Sequence, residues 1–494
     1  MTEILRAAQR PGGGPRRAAR RPGDGMIVTV LCLGGLLAAL MQSLVVPIVG
    51  RLPHLLGTSA DNASWVITAT LLASSVAMPI AGRAADLYGK RRVLLVSLVS
   101  LIAGSLLCAL SSTLLLTVAG RTLQGLAMGL VPVGISLMRD ELHAERIPAA
   151  VALMSAMLGV GGAIGIPFGA YISEHFDYHA LFWVALGAGA IVAALMYVVV
   201  PESPVTSGAR FDAVGAAGVA AGLVAVLLAI TKGHAWGWTS VATIGCFVGG
   251  AAILIAWGAY ELCIEAPLVD LRVSARPSIA LTNLASVLVG FAMFALMLTM
   301  PQLLQLPSAT GYGLGRGLLE AGLWMVPGGL VMMALSPVSA RLTRTIGART
   351  TLAAGAAVTS GGYFATLALR DTPWQLMIGS MIVFGGVGIA YSAMPALIMA
   401  DAPVAESAAA NGLNSLMRSV GTAIASAVVT SVLAGGATTL HGVAVPAKSG
   451  FTTVLILSGA IAAGATAVAL CIPRRRRERL TPRTGTPVAG ARRA

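Results

Sequence analysis

Charge is what this chain has least of. Only 11% of its 494 residues are Asp, Glu, Lys or Arg, against 56% hydrophobic ones, where a soluble globular domain carries roughly a quarter charged residues. That excludes an ordinary soluble enzyme and points to an all-α polytopic membrane protein. Lysine is nearly missing: Lys90, Lys232 and Lys448 stand alone beside a large excess of arginine, a bias that suggests a GC-rich bacterial genome. Aromatics make up 5%, and no basic face interleaves with them. The net charge of +14 therefore does not signal a nucleic-acid partner; it sits in tails and short loops. The five cysteines are scattered through apolar runs without metal-ligand spacing and read as small buried hydrophobes, not as a disulfide set. A phosphate-cradling Gly-x-x-x-x-Gly-Lys-Ser/Thr is absent, as is any Ser/His/Asp set or metal-ligand cluster. Neither an enzyme nor a metal or cofactor is expected.

What is there is a succession of apolar runs. About 20 such residues cross a bilayer, and fourteen runs fall at 26–49, 64–83, 93–111, 114–138, 149–172, 180–200, 213–230, 240–260, 279–304, 317–338, 350–368, 374–399, 409–434 and 451–472. An even number places both ends of the chain on one side. With the N-terminus inside, about 26 of the 33 Lys and Arg fall in tails and inner loops, as the positive-inside rule requires. The outer loops then hold Arg51, Lys232, Arg316, Arg370 and Lys448, and Trp65, Trp183, Trp236, Trp238 and Trp374 mark outer helix ends. The basic arm 1–25 and the tail 473–494 read as disordered and cytoplasmic.

A repeat divides the chain. Val160-Gly161-Gly162-Ala163-Ile164 recurs as Val420-Gly421-Thr422-Ala423-Ile424, and the segment Gly82–Arg92 has a degenerate echo at 340–349, at nearly one offset. Two six-helix bundles, 26–200 and 279–472, with two inserted helices at 213–260, account for it.

Three motifs carry mechanism. Gly82-Arg83-Ala84-Ala85-Asp86-Leu87-Tyr88-Gly89-Lys90-Arg91-Arg92 reads as a tight charged turn at the inner membrane surface. Gly120-Arg121-Thr122-Leu123-Gln124-Gly125 puts a guanidinium inside a span, where it must face a wet cavity or a partner. In the fifth run Gly161, Gly165 and Gly169 form a four-residue stripe for close helix approach, and Pro167 bends the helix.

These motifs resemble the major facilitator superfamily: the Gly-x-x-x-Asp-x-x-Gly-Arg/Lys-Arg loop between its helices 2 and 3, and its helix 4 Arg-x-x-Gln-Gly. The fifth run looks like the antiporter motif of drug exporters, with an Ile between the Gly and the Pro. Together with fourteen runs, they make the chain similar to the EmrB/QacA-type drug:proton antiporters from Met26 to Ile472. The resemblance implies the major facilitator fold in a bacterial inner membrane, export of amphipathic or cationic compounds, and a proton gradient instead of a cofactor. Arg121 would take part in proton transfer, or simply hydrogen-bond carbonyls and hold its half together. Monomer is plausible, and no adaptor can be named. Import or export of one dedicated metabolite, or a sensor without transport, are the alternatives.

One departure bears on coupling. The family's helix 1 Asp is replaced here: Leu40-Met41-Gln42-Ser43 carries no carboxylate, and Gln cannot take up a proton in a reachable pH range. Glu320, the one acid expected within a span beyond its first residue or two, is the substitute carrier, or else the i,i+4 partner of Arg316. Asn411, Asn414 and Arg418 recur on one face of the thirteenth run and, with Gln42 and Gln305, are candidates for a substrate cavity. Methionines at 293, 297, 300, 325, 332 and 333 suit a promiscuous pocket, or merely fill space.

Overall fold

The computed structural model describes residues 23–49, 51–203, 210–435, 437–440 and 443–473. The expected terminal arms, apart from residues 23–25 and Pro473, lie outside the described residues. In hydrocarbon an apolar run satisfies its own backbone by becoming helical. Fourteen long helical segments result: α1 (Asp24–Ser43), α2 (Trp65–Tyr88), α3 (Lys90–Leu110), α4 (Leu114–Leu126 and Leu130–Glu141), α5 (Ile147–His175), α6 (His179–Val199), α7 (Ala213–Trp236), α8 (Val241–Cys263), α9 (Pro277–Gln305), α10 (Leu318–Ala334 and Ser336–Thr345), α11 (Ala348–Ala368), α12 (Pro373–Asp401), α13 (Ser407–Gly435) and α14 (Lys448–Cys471). A two-stranded antiparallel hairpin, β1 (Ala437–Leu440) and β2 (Val443–Pro446), joins α13 to α14.

Among the described residues thirteen helices are long and apolar enough to cross a membrane, not the fourteen expected. The exception is α11. Its Thr351, Thr359, Ser360 and Thr366 are buried, and these hydroxyls lower its hydropathy while finding partners inside. Thr359 donates to the Gly355 carbonyl one turn back (2.9 Å), and Ser360 to the Gly459 carbonyl of α14 (2.8 Å). Polar contacts of this kind glue α11 between α12 and α14.

Prolines set the two breaks. Pro132 cannot donate a bond to the turn before it, and α4 tightens into a 3-10 turn at Ala127–Gly129. Pro337 does the same to α10, which divides at Leu335.

The charged segment is not a loop. α2 runs on through Tyr88, and Gly89 alone separates it from α3. Gly89 has φ +101, a conformation that residues with a Cβ avoid, and a Cβ there would also meet the Glu202 carboxylate. Gly347, between α10 and α11, turns the chain in the same way with φ +87, so the echo seen in the sequence recurs in the backbone.

Most of the core falls into two large clusters of buried side chains, one drawn mainly from α1–α6 and the other mainly from α9–α14. The halves meet along α2 against α13 and α5 against α10. Glycine permits both approaches: Gly82 touches the Ala408 carbonyl, and a Cβ on Gly412 would stand 2.5 Å from the Met78 carbonyl oxygen. One on Gly322 would lie 2.9 Å from Pro167 N, and one on Gly329 2.6 Å from the Ala163 Cβ.

Helix α7 lies over the seam between α2 and α13. Leu223 packs in a cluster with Leu416 of α13, and Leu227 packs with Leu72 of α2 and Ala423 of α13. It continues to Trp236, so Lys232 does not sit in an outer loop as expected. Lys232 is buried (2% exposed) and donates to Asp61 Oδ1 (3.1 Å), the Asp61 carbonyl (3.0 Å) and Ser64 Oγ (2.6 Å), with its ammonium 4.9 Å from the Trp65 ring. An ammonium with all three donors taken tolerates such burial.

Candidate functional site

A cavity of about 190 Å³ opens at the seam. Its walls come from both halves and from α7: Gln42 and Ser43 of α1, Ser75 and Met78 of α2, Met128 of α4, Gly162 of α5, Thr231 of α7, Phe294 and Met297 of α9, Tyr391 of α12, and Ser415, Arg418 and Ser419 of α13. Most of the lining is apolar and soft, with methionines at 78, 128, 293 and 297. Among the lining residues Arg418 is the sole charged side chain, and no carboxylate faces the cavity.

Arg418 is held from its own helix. Nη2 donates to Ser415 Oγ (2.8 Å), Nη1 to Asn414 Oδ1 (3.4 Å), and the guanidinium carbon lies 5.1 Å from the Tyr391 ring centroid. Asn414 in turn donates to Asn283 Oδ1 (2.9 Å) and Ser286 Oγ (2.7 Å) of α9. The stripe expected at 411, 414 and 418 is thus divided. Arg418 and Gln42 line the cavity; Asn411 and Asn414 are buried outside it, the first donating to the Ser407 carbonyl (2.9 Å). Gln305 is exposed at the end of α9 and does not line the cavity either.

At the Gly89 end the halves are clamped together. Asp86, 1% exposed, accepts the backbone N–H of Ala408 (3.2 Å) and of Ala409 (2.9 Å), the first turn of α13. Unpaired N–H groups and the positive end of the helix dipole meet a carboxylate there. The hydrogen-bond partners of Asp86 are thus backbone groups of the other half, not arginines across a turn. Beside it, the fully buried Lys90 bonds Asp140 of α4 and lies 3.9 Å from Asp86 Oδ1. Asp140 also accepts from Ser203 Oγ (2.5 Å). Ser136 and Ser407 share a hydrogen bond between the halves. Arg83 is buried in the same region, and Arg91 covers the Tyr197 ring at 5.0 Å and donates to its carbonyl.

Arg121 ties one half together. It is buried, and it donates to the Met41 carbonyl of α1 (3.0 Å), the Val66 carbonyl of α2 (3.4 Å) and Gln124 Oε1 (2.7 Å). Gln124 passes the chain on to Ser105 of α3 (2.8 Å). Met41 stands where the resembling family has its Asp, so here a backbone carbonyl meets the guanidinium. A Cβ on Gly125 would lie 2.6 Å from the Thr70 carbonyl oxygen, which brings α4 close to α2. The stripe Gly161, Gly165 and Gly169 faces α1. A Cβ at 161 would lie 2.8 Å from the Leu36 carbonyl oxygen, one at 165 would meet Ser43 Oγ, and one at 169 would meet the Leu44 carbonyl oxygen. Pro167 touches Gly322 of α10.

Glu320 lies in the first turn of α10, not deeper in a span, and outside the cavity. It bonds Arg316 (3.0 Å) and accepts the Trp324 indole N–H (3.4 Å), both partners of the ion pair being nearly half exposed. Asp86 and Glu261 lie just as near a helix end, each two residues from it, but both are buried. Reading the sequence missed Asp140, the Asp61–Lys232 pair, and the convergence of Asp212 and Glu261 on Gly215. The spacing of Asp61 ahead of an apolar run was visible; its partner, 171 residues away, was not.

Two clusters of apolar helices with a cavity at their seam define a multi-pass membrane carrier. The chain belongs to the Major Facilitator Superfamily, whose family model matches residues 31–426, and it is a transporter of that superfamily. It is 26% identical over 411 residues to an uncharacterized MFS-type transporter, YvkA, of Bacillus subtilis, covering 82% of this chain and 89% of the relative. It is 28% identical over 418 residues to the multidrug resistance protein Stp of Mycobacterium tuberculosis, covering 83% and 76%. Multidrug resistance protein 3 of Bacillus subtilis is 25% identical over 411 residues, covering 82% and 78%. Among solved structures, the human organic anion transporter MFSD10 (TETRAN) superposes with a TM-score of 0.63 at 16% identity, covering 91% of this chain and all of the other; that likeness concerns the fold.

Proposed function

We propose that this transporter is a secondary active exporter of amphipathic organic compounds. In this reading it is a fourteen-helix antiporter of the drug-exporting type, working against a proton gradient in a bacterial inner membrane. The observation that carries it is the cavity: soft apolar walls rich in methionine, a few polar groups, and contributions from both halves. Flexible thioethers repack around differently shaped ligands, which suits breadth. The multidrug resistance names of relatives at 25–28% identity support the same reading. The distribution of basic residues supports a cytoplasmic Gly89 end and cytoplasmic chain ends in this reading.

In this reading the Asp86 clamp closes the cytoplasmic end while the cavity faces outward. A proton on Asp86 removes the charge that the N–H groups of Ala408 and Ala409 hold, and loosens the seam. Coupling through Glu320 or Arg121 has less support. Glu320 is far from burial and already paired, and Arg121 has carbonyls and an amide as partners. One observation favours a second, narrower reading, a dedicated metabolite: Arg418 is a single fixed charge in an otherwise permissive wall.

The test is export of the neutral dye N-phenyl-1-naphthylamine from proteoliposomes, with and without an imposed proton gradient. Gradient-dependent efflux is expected. Equal rates with and without the protein, for this dye and for anionic and cationic dyes alike, would refute the exporter reading, and efflux indifferent to the gradient would refute antiport.

A further inference from the structure

We propose that the cavity selects amphipathic anions, and that Arg418 is the group that anchors their carboxylate or sulfonate head. This rests on the reading of the cavity as the substrate site and adds the charge of what it takes.

Four observations carry it. Arg418 faces the cavity, and no carboxylate shares the lining with it. Its guanidinium has no ion-pair partner among the described residues; its hydrogen bonds go to a serine hydroxyl and an amide oxygen. Those two bonds use one N–H on each terminal nitrogen, so of five donors three remain for a ligand. Finally, Ser415 and Asn414 brace the side chain from three and four residues earlier on the same helix, and Asn414 is itself held by Asn283 and Ser286. The fork is fixed before a ligand arrives, which reduces the entropy lost on binding.

A buried cation without a counter-ion is costly in hydrocarbon, and such residues mark substrate or ion pathways. A cationic ligand would add a second positive charge to a site of low dielectric. An anion would instead complete the pair through two parallel N–H donors. The apolar remainder, Phe294, Met297 and Met293 of α9, suits an aromatic or aliphatic body. The ligand class is therefore an organic compound with one carboxylate or sulfonate and an apolar body of a few rings.

The test uses two probes with one skeleton. N-Phenyl-1-naphthylamine is neutral, and 8-anilino-1-naphthalenesulfonate adds only the sulfonate; ethidium supplies a cation. Their dissociation constants are measured by fluorescence with the full chain in nanodiscs of zwitterionic lipid, after subtraction of empty discs. The sulfonate is expected to bind about tenfold to a hundredfold tighter than the neutral probe, the span that charge-assisted hydrogen bonds give, and ethidium weakest of the three. Arg418→Gln should remove the preference, and Arg418→Lys should keep part of it. Ser415→Asp gives the guanidinium an internal counter-ion and should bring the ratio of sulfonate to neutral-probe affinity to about one or below. That second route keeps the proposal testable if Arg418→Gln is poorly folded.

A wild type that binds the sulfonate no tighter than the neutral probe, or fails to bind it, overturns the proposal. So does a preference that survives Arg418→Gln and Ser415→Asp alike. Phosphatidylglycerol added to the discs sorts the source of the anion: competition identifies a bilayer lipid headgroup, and indifference a dissolved compound. Transport is scored separately. A sulfonate preference without export of any probe would sink the exporter reading and leave the anion site standing; export without preference would do the reverse.

Discussion

Replacing Asp86 by Asn leaves the shape of the clamp and removes its charge. Asp86 now accepts two backbone N–H groups, from Ala408 at 3.2 Å and Ala409 at 2.9 Å. Hydrogen bonds to a charged group contribute about 1.5–3 kcal/mol each. Asn offers one oxygen, so one bond survives in neutral form, while its NH₂ group faces the other N–H. The helix dipole contribution, about 0.3–1 kcal/mol or more where partly buried, is lost too. The seam should therefore weaken by roughly 3 kcal/mol, a fall of about a hundredfold in the ratio of closed to open at the Gly89 end. The hydroxyls of Ser136 and Ser407 touch across that seam. With both changed to Cys in a background free of the five native cysteines, the rate of disulfide formation reports how often the end is closed. The rate should drop at least tenfold when Asp86→Asn is added, with expression and helix content unchanged. Equal cross-linking rates with Asp and Asn would falsify the clamp.

Four further outcomes are expected. Gly165→Leu should abolish transport while the protein still inserts, because a side chain there collides with Ser43 Oγ and lies 3.1 Å from the Leu40 carbonyl oxygen; retained transport would show that α1 and α5 separate cheaply. Arg121→Ala takes the guanidinium donor from the Met41 carbonyl and from Gln124 Oε1 at about 1–3 kcal/mol each, so melting in detergent should fall by several degrees, and an unchanged melting temperature would refute the bracing role. Glu320→Gln should alter export less than twofold, since half-exposed ion pairs contribute about 0–1 kcal/mol; loss of substrate-induced proton movement would instead make Glu320 a carrier. A cysteine at Lys448 should react with an impermeant reagent from outside, and one at Tyr88, 55% exposed, only from inside; labelling at 88 from outside would reverse the topology.

Hydropathy was enough to place the helices, because in a bilayer each span satisfies its own backbone and leaves its mark as a local run. It misled where polarity is internal. Lys232 reads as an outer-loop residue, yet it is buried on α7, where Asp61 and Ser64 meet its three donors. Arg83, Asp86 and Lys90 read as a surface turn, yet α2 carries the first two on into the seam and Lys90 opens α3 beside them. The partner of Asp86 left no trace at all in the sequence, since backbone N–H groups have no side-chain signature. Arg418 was legible as a polar residue on a small, apolar helix. That it faces the cavity while Asn414, four residues earlier, turns to α9 depends on how α13 is rotated against its neighbours. Reading by span composition also could not show that the cavity wall holds no acid, because the wall is assembled from eight helices.

The seam between the halves has a texture. Where α2 meets α13 and α5 meets α10, several close approaches are made by glycines lying on the backbone or small side chains opposite: Gly82, Gly412, Gly322 and Gly329. Long interlocked side chains would act as teeth, and each would have to leave its rotamer well before one half could tilt against the other. At these points the halves present flat backbone instead. Rocking therefore exchanges one set of weak contacts for another without unlocking a jigsaw, and the Asp86 clamp is left as a catch on surfaces that otherwise slide.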